Sequence, residues 1–210
     1  MRKVIVNNIV SLDGCYADAT GNPLALNMDA AFDQANLDSI SAADVVLLGR
    51  DSFDGFSSYW PFIADAPEPD DPDAPEARAL SEVNRAISRR YNAIPKVVVS
   101  DRGGVPSDNA WAQTTTVVPR GAAASWVADA KRNGDGDIVI FGSRRMWNGL
   151  LGDGLIDELH LMVSPTVLGD GVRLFGVPAD LDRIECRRYD GSPNVQLRYR
   201  VLAPRSDRAS

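Results

Sequence analysis

The stretch DIVIFGSRRMWNGLL, Asp137 to Leu151, carries four consecutive β-branched or aromatic residues, Ile138 to Phe141, followed at once by Gly142 and Ser143. Such a run suits a strand buried on both faces, as in the middle of a parallel sheet. Arg144 to Leu151 then reads as a short helix, with Met146 and Leu150 one turn apart. A strand that turns through Gly-Ser into a helix aims free backbone N–H groups past the sheet edge. The turn is therefore either an anion site or only a tight connection.

The same arrangement recurs on the N-terminal side. Val45 to Leu48 is a buried strand that ends in Gly49-Arg50-Asp51-Ser52-Phe53, and Lys96 to Ser100 is another, followed by Asp101-Arg102. Val4 to Ser11 and Thr114 to Val118 complete the strands of this part. Helices are expected between them. One runs from Asp29 to Ser41 with Phe32, Asn36, Leu37 and Ile40 on its apolar face. A second is opened by a capping box of Asp73 and Glu76 and runs to about Arg90, with Leu80, Val83, Ile87 and Tyr91 at helical spacing. A third covers Ser125 to Arg132, with Trp126 and Ala130 inward and Gly134 as its stop. Cys15 to Leu26 is too polar and broken to be core. Residues 64–75, acidic and interrupted by four prolines, read as a solvated surface insertion, with a lid over a site as the alternative.

Beyond Gly154 the pattern changes. Leu155 to Val163 is followed by two strands, Arg183 to Tyr189 and Val195 to Leu202, joined by Asp190-Gly191-Ser192-Pro193. Alternating apolar and polar residues in the last of these mark a half-exposed antiparallel strand. The order predicts one three-layer α/β domain over residues 1–203. Its central sheet is mixed and mostly parallel, with a C-terminal antiparallel hairpin. The tail 204–210 is expected to be disordered.

Composition narrows the function. The chain has 210 residues and a net charge of −7, which disfavours nucleic acid as a partner. No run approaches the ~20 apolar residues of a membrane span, and the N-terminus enters a strand-like pattern directly, so a cytoplasmic protein is expected. Two unpaired cysteines and one histidine, His160 within an apolar strand, argue against a metal site. Ligands of open α/β sheets bind beyond the carboxyl ends of the parallel strands. Three such ends here are polar: Gly49 to Ser52, Ser100 to Arg102, and Gly142 to Arg145. Together they suggest a small molecule with several phosphates lying along one edge. Neither G-x-G-x-x-G nor a P-loop sequence is present.

The chain resembles the dihydrofolate-reductase-like superfamily. It is more closely similar to the C-terminal reductase domain of the bacterial bifunctional riboflavin-biosynthesis deaminase-reductase and its stand-alone relatives. The resemblance rests on VSLDG (Val10 to Gly14), LLGRDSF (Leu47 to Phe53), YWP (Tyr59 to Pro61), KVVVS (Lys96 to Ser100), IVIFGS (Ile138 to Ser143), LLGDGLIDELHL (Leu150 to Leu161) and SPTVLGDGVRLF (Ser164 to Phe175). It implies the dihydrofolate-reductase-like fold, NADPH as cofactor, hydride transfer to a small-molecule substrate and a homodimer. Gly49, Arg50 and Ser52 would hold cofactor phosphates, with Arg50 a candidate for the ribose 2′-phosphate. Ser100 and Arg102 would border the adenosine half, and Gly142, Ser143 and Arg144 would cradle the pyrophosphate. Asp13 to Ala17 would lie near the nicotinamide, although Asp13 serves equally as an Asp-Gly turn residue.

A proton donor is also needed, and Asp29, Asp33 or a bound water are the candidates. In folate reductases an acidic residue lies about one turn before an aromatic on the first helix; one turn before Phe32 falls on Met28 or Asp29. The H-x-E and P-C-x-x-C signature of the zinc deaminase domain is missing, which excludes deaminase activity. Two alternatives remain: a non-catalytic nucleotide-binding protein of the same fold, and a true dihydrofolate reductase.

Overall fold

A computed structural model describes residues 2–71 and 75–203. Asp73 of the expected capping box and the tail from Pro204 lie outside the described residues. The elements in chain order are β1 (Val4–Ser11), β2 (Cys15–Asp18), α1 (Ala30–Ala42), β3 (Ala43–Gly49), α2 (Arg50–Ser57), α3 (Glu82–Ala93), β4 (Lys96–Val99), β5 (Thr115–Val118), α4 (Ala123–Arg132), β6 (Asp137–Phe141), α5 (Arg144–Gly152), β7 (Glu158–Ser164), β8 (Gly171–Arg173), β9 (Leu181–Arg188) and β10 (Val195–Val201).

Among the described residues, eight strands form one sheet in the order β5-β4-β3-β6-β1-β7-β10-β9. All neighbours from β5 to β7 are parallel, while β10 runs antiparallel to both β7 and β9. The strand of the 137–151 stretch therefore lies inside the sheet, between β3 and β1. Its four apolar residues divide by the two-residue period of a strand. Ile138 and Ile140 enter the core beneath α4 and α5, with Val4, Val6, Leu47, Val127, Trp147 and Leu159. Val139 and Phe141 enter the opposite core, with Ile40, Phe53, Ile87, Tyr91 and Trp111 from the layer of α1, α2 and α3. These two cores make the three layers.

Three expectations are corrected. The segment Cys15 to Leu26 is not all loop: β2 pairs with β8 in a small second sheet, and Cys15, Ala17 and Leu26 are buried. The pairing is long-range, so local polarity concealed it. The helix expected from Asp73 is a 3-10 stretch, Pro75–Leu80, followed by α3, whose true N-cap is Ser81. The start of the Pro-rich insertion is also packed. The buried guanidinium of Arg85 on α3 donates to the carbonyls of Ala64 at 3.2 Å and Ala66 at 2.6 Å, and pairs with Glu68 at 3.2 Å. An arginine can satisfy several carbonyls at once, so a proline-broken segment is tied down without secondary structure of its own. No helix among the described residues is long and apolar enough to cross a membrane.

Candidate functional site

Because β3 and β6 are parallel neighbours, their carboxyl ends lie side by side. Gly142 and Ser143 both have φ near 53°, and Ser143 is the only non-glycine residue with positive φ among the described residues. A left-handed L-residue costs about 1–2 kcal/mol, so other contacts must hold it. The Ser143 N–H donates to Ser52 Oγ at 2.8 Å. The Ser143 hydroxyl donates to the Phe141 carbonyl at 2.9 Å and accepts the N–H of Gly49 at 2.9 Å. Asn8 Nδ2 donates to the Gly142 carbonyl at 3.1 Å, which adds the neighbouring β1. Gly49, Ser52, Gly142 and Ser143 thus form one knot at the sheet edge.

The knot changes what these residues can offer a ligand. Both hydroxyls are engaged within the protein, so they shape the turn. A Cβ on Gly142 would stand 3.0 Å from Ser52 Oγ, so the close approach needs glycine as much as the dihedral does. Two helices begin here, α2 at Arg50 and α5 at Arg144, and neither has a side-chain cap. Uncapped helix starts leave first-turn N–H groups and a partial positive charge available to an anion.

Arginines ring this edge. Arg50 is held by Asp54 at 2.8 Å and by the carbonyls of Gly103 at 3.3 Å and Gly104 at 3.2 Å, so it fastens the loop after β4 to α2. In that loop Ser100 Oγ accepts the Arg102 N–H at 2.9 Å. Arg102 reaches Asp51, whose other oxygen lies 3.7 Å from Arg145. Arg144 donates to the Arg173 carbonyl on β8 and lies over the Tyr16 ring. The three polar strand ends are therefore in one place and bonded to one another.

Asp13 follows β1. Its carboxylate accepts from Ser11 Oγ at 2.5 Å and from the N–H groups of Leu168 at 3.2 Å and Gly169 at 2.8 Å. Those hydrogen bonds, the Ser11 bond foremost, hold its pKa down at about 2. Asp13 joins the turn after β1 to the loop before β8, in keeping with its turn-ordering reading. Ala17 is fully buried on β2, and any Cβ at Gly171 would come within 2.6 Å of its carbonyl oxygen.

The two carboxyls of the first helix differ in kind. Asp29 is the N-cap of α1 and accepts from the N–H groups of Ala31 and Phe32, both at 3.1 Å. Ser192 Oγ at 2.6 Å, Asn194 Nδ2 at 2.9 Å and Asn27 Nδ2 at 3.2 Å add three more bonds. Burial alone would raise its pKa, but these donors outweigh burial and bring it below the usual range. Asp29 also lines an open depression of about 300 Å³ with Gln34, Tyr189 and Ser192. Asp33, one turn on, is buried and bonded to Arg78 and to Asn84 Nδ2 at 3.0 Å. Burial raises its pKa in spite of the arginine. Its charge is felt by the phenol of Tyr59, which is partly exposed. Sequence reasoning passed over Arg78 and Asn84, and gave Asp51 and Arg145 no role beyond their place in polar strand ends. Arg78, on the 3-10 stretch, and Asn84, on α3, come to Asp33 only through the packing of these elements against α1.

The fold has known counterparts. The model of the RibD C-terminal domain matches residues 2–194. The uncharacterized protein YyaP of Bacillus subtilis (strain 168) is 27% identical over 177 residues, 83% of this chain and 80% of that protein. The diaminohydroxyphosphoribosylaminopyrimidine deaminase/5-amino-6-(5-phosphoribosylamino)uracil reductase of Thermotoga maritima superposes with a TM-score of 0.64 at 12% identity, covering 96% of this chain and 57% of that one. A dihydrofolate reductase of Enterococcus faecalis, solved with NADP(H), superposes with a TM-score of 0.56 at 14% identity, covering 95% and 96%. With its β3–β6 knot set in that fold and the match running over residues 2–194, the chain belongs to the RibD C-terminal domain family.

Proposed function

We propose that this protein is an NADPH-dependent reductase acting on a small heterocyclic substrate of the kind that the Thermotoga reductase is named for. The observation that carries the reading is the knot at the ends of β3 and β6. It sets two uncapped helix starts side by side, within a rim of arginines, in a family fold shared with NADP(H)-binding proteins. The residues present suit a dinucleotide. Gly142, whose Cβ would crowd Ser52, leaves room for close backbone approach. The N-terminal amides of α2 and α5, with Arg144, would take the pyrophosphate. Arg50 would support the phosphate side by holding the 101–104 loop in place, with Ser100 and Arg102 beside the adenosine. Asp13 and Ala17 would frame the nicotinamide side through the β2–β8 sheet.

When bound, NADPH supplies a hydride to an electrophilic carbon. The chain's own part is to orient the reactants, exclude water and hold a proton. Of the two helix carboxyls, Asp33 is the one suited to keep a proton, since burial favours its neutral form. Asp29, with its charge fixed by five donors, serves as the anchor of α1 and a fixed wall of the substrate side.

The deciding measurement is NADPH oxidation with a ribosylaminopyrimidine phosphate, dihydrofolate and a panel of carbonyl compounds. Turnover with the first and not the second supports the reading, and turnover with dihydrofolate alone replaces it with a folate reductase. Tight NADPH binding with silence across the panel marks a non-catalytic binder. A homodimer belongs to the same proposal. Val163, Val195, Leu197 and Tyr199 share one half-buried sheet face over β7 and β10. Sedimentation of the wild type and Leu197→Glu tests it, and a monomeric wild type removes it.

A further inference from the structure

The arginine rim holds a negative charge that the cofactor reading does not use. Asp51 is the second residue of α2. Its carboxylate lies between guanidiniums from two other strand ends. Arg102, after β4, donates to Oδ1, and Arg145, on α5, stands 3.7 Å from Oδ2. All three side chains are largely exposed, at 69% for Asp51, 55% for Arg102 and 88% for Arg145. No rigid packing therefore forces them together, and what gathers them is charge. Arg50, by contrast, is only 14% exposed and is already held by Asp54.

A carboxylate and a phosphate monoester seek the same donors, and a guanidinium fork suits both. In the free protein the seat between Arg102 and Arg145 therefore has an intramolecular tenant. We propose that Asp51 is a built-in competitor for the 2′-phosphate of the cofactor, leaving the Arg102–Arg145 seat when that phosphate enters it. This rests on the cofactor reading above. The seat carries a net charge of about +1 with Asp51 in place and about +2 without it. Asp51 thus lowers affinity for a 2′-phosphorylated nucleotide while scarcely touching one that lacks the group. It also marks Arg102 and Arg145 as the residues that read the 2′-phosphate, with Arg50 acting on the loop that presents Arg102.

The test is calorimetric titration of the full-length protein with adenosine 2′,5′-bisphosphate and with adenosine 5′-monophosphate, at low and moderate salt. Asp51→Asn removes the charge and keeps the shape at an exposed position. It is expected to bind the bisphosphate about tenfold more tightly at low salt, with less gain at higher salt, since screening weakens exposed charges. Its affinity for the monophosphate is expected to change less than twofold. Arg102→Met and Arg145→Met are each expected to lose about tenfold in bisphosphate affinity and little for the monophosphate. If the wild type prefers the bisphosphate but Asp51→Asn binds it equally or more weakly, Asp51 organises the arginines and the proposal is overturned while the cofactor reading stands. If the wild type binds neither nucleotide, the cofactor reading fails and this proposal with it.

Discussion

The Ser143 hydroxyl accepts the N–H of Gly49 at 2.9 Å and so joins the carboxyl ends of β3 and β6. The two residues are 94 positions apart; Gly49 ends β3, Ser143 stands just past the end of β6, and each leads straight into a helix. The contact holds both helix starts in register and makes one edge of two separate turns.

Ser143→Ala should therefore cost stability. It leaves the Gly49 N–H without its acceptor and keeps the left-handed strain, for a loss of about 1–3 kcal/mol. Ser143→Gly loses the same hydroxyl but relieves the backbone, and should be about 1 kcal/mol less harmful. Urea unfolding of the two variants gives the order directly. An alanine variant as stable as the wild type would show that the hydroxyl does not hold the knot.

Gly142→Ala introduces a Cβ 3.0 Å from Ser52 Oγ at a φ of 53°. The hydroxyl must give way, and with it the bond to the Ser143 N–H. A loss of about 1–3 kcal/mol in thermal or urea unfolding is expected, with weaker NADPH binding. Unchanged NADPH affinity in a destabilised variant would place the cofactor away from this turn.

Asp33 and Asp29 should separate by phenotype. As the proton holder, Asp33 must be neutral to act, so kcat should fall as pH rises through its raised pKa. Asp33→Asn should lose that limb and about 10²-fold in kcat. Asp29→Asn should instead lose about 1 kcal/mol of stability, as a weakened cap, with kcat moving less. Equal kcat losses for both, or a pH profile that Asp33→Asn leaves intact, would count against Asp33.

Lys96 offers a pH test of the fold. It is buried at the start of β4, donates to the Ile94 carbonyl at 2.8 Å and Thr114 Oγ1 at 2.9 Å, and lies over the Trp111 ring. Burial lowers its pKa to about 7, against about 10.4 in the unfolded chain. Below pH 7 both states carry the proton, and the charged amine destabilises the fold in full. Between pH 7 and 10 the unfolded state binds more protons, so this residue's contribution improves as pH rises. The stability of Lys96→Met relative to wild type should therefore fall by about 2–4 kcal/mol from pH 6 to pH 10. A difference that stays flat with pH would mean that Lys96 keeps an ordinary pKa.

Arg50→Ala should release the Gly103–Gly104 carbonyls and loosen the loop that carries Arg102. Affinity for NADPH and for NADH should both drop, by about 1–3 kcal/mol for NADPH. A loss confined to NADPH would return the 2′-phosphate to Arg50 itself.

Much of this was legible in the chain because it depends on short-range chemistry. The apolar run Ile138 to Phe141 suited an interior strand, and the glycine-punctuated ends at Gly49 and Gly142 marked where parallel strands stop. The buried segments were each long enough for period and composition to identify them. What needed the tertiary structure were relationships between distant residues. The pairing of Cys15–Asp18 with Gly171–Arg173 has no local signature, and nothing near Arg85 announced that it would bind the insertion. Side-chain engagement was equally hidden. The sequence by itself determined that three parallel strands end in polar residues. Only the fold decided that these ends meet, that the Ser143 hydroxyl and Ser52 Oγ are bonded within that edge, that Arg50 faces Asp54, and that Arg102 and Arg145 share Asp51. Local pattern follows from one residue's neighbours in the chain, whereas the partner of a hydroxyl or guanidinium is set by which strands lie side by side.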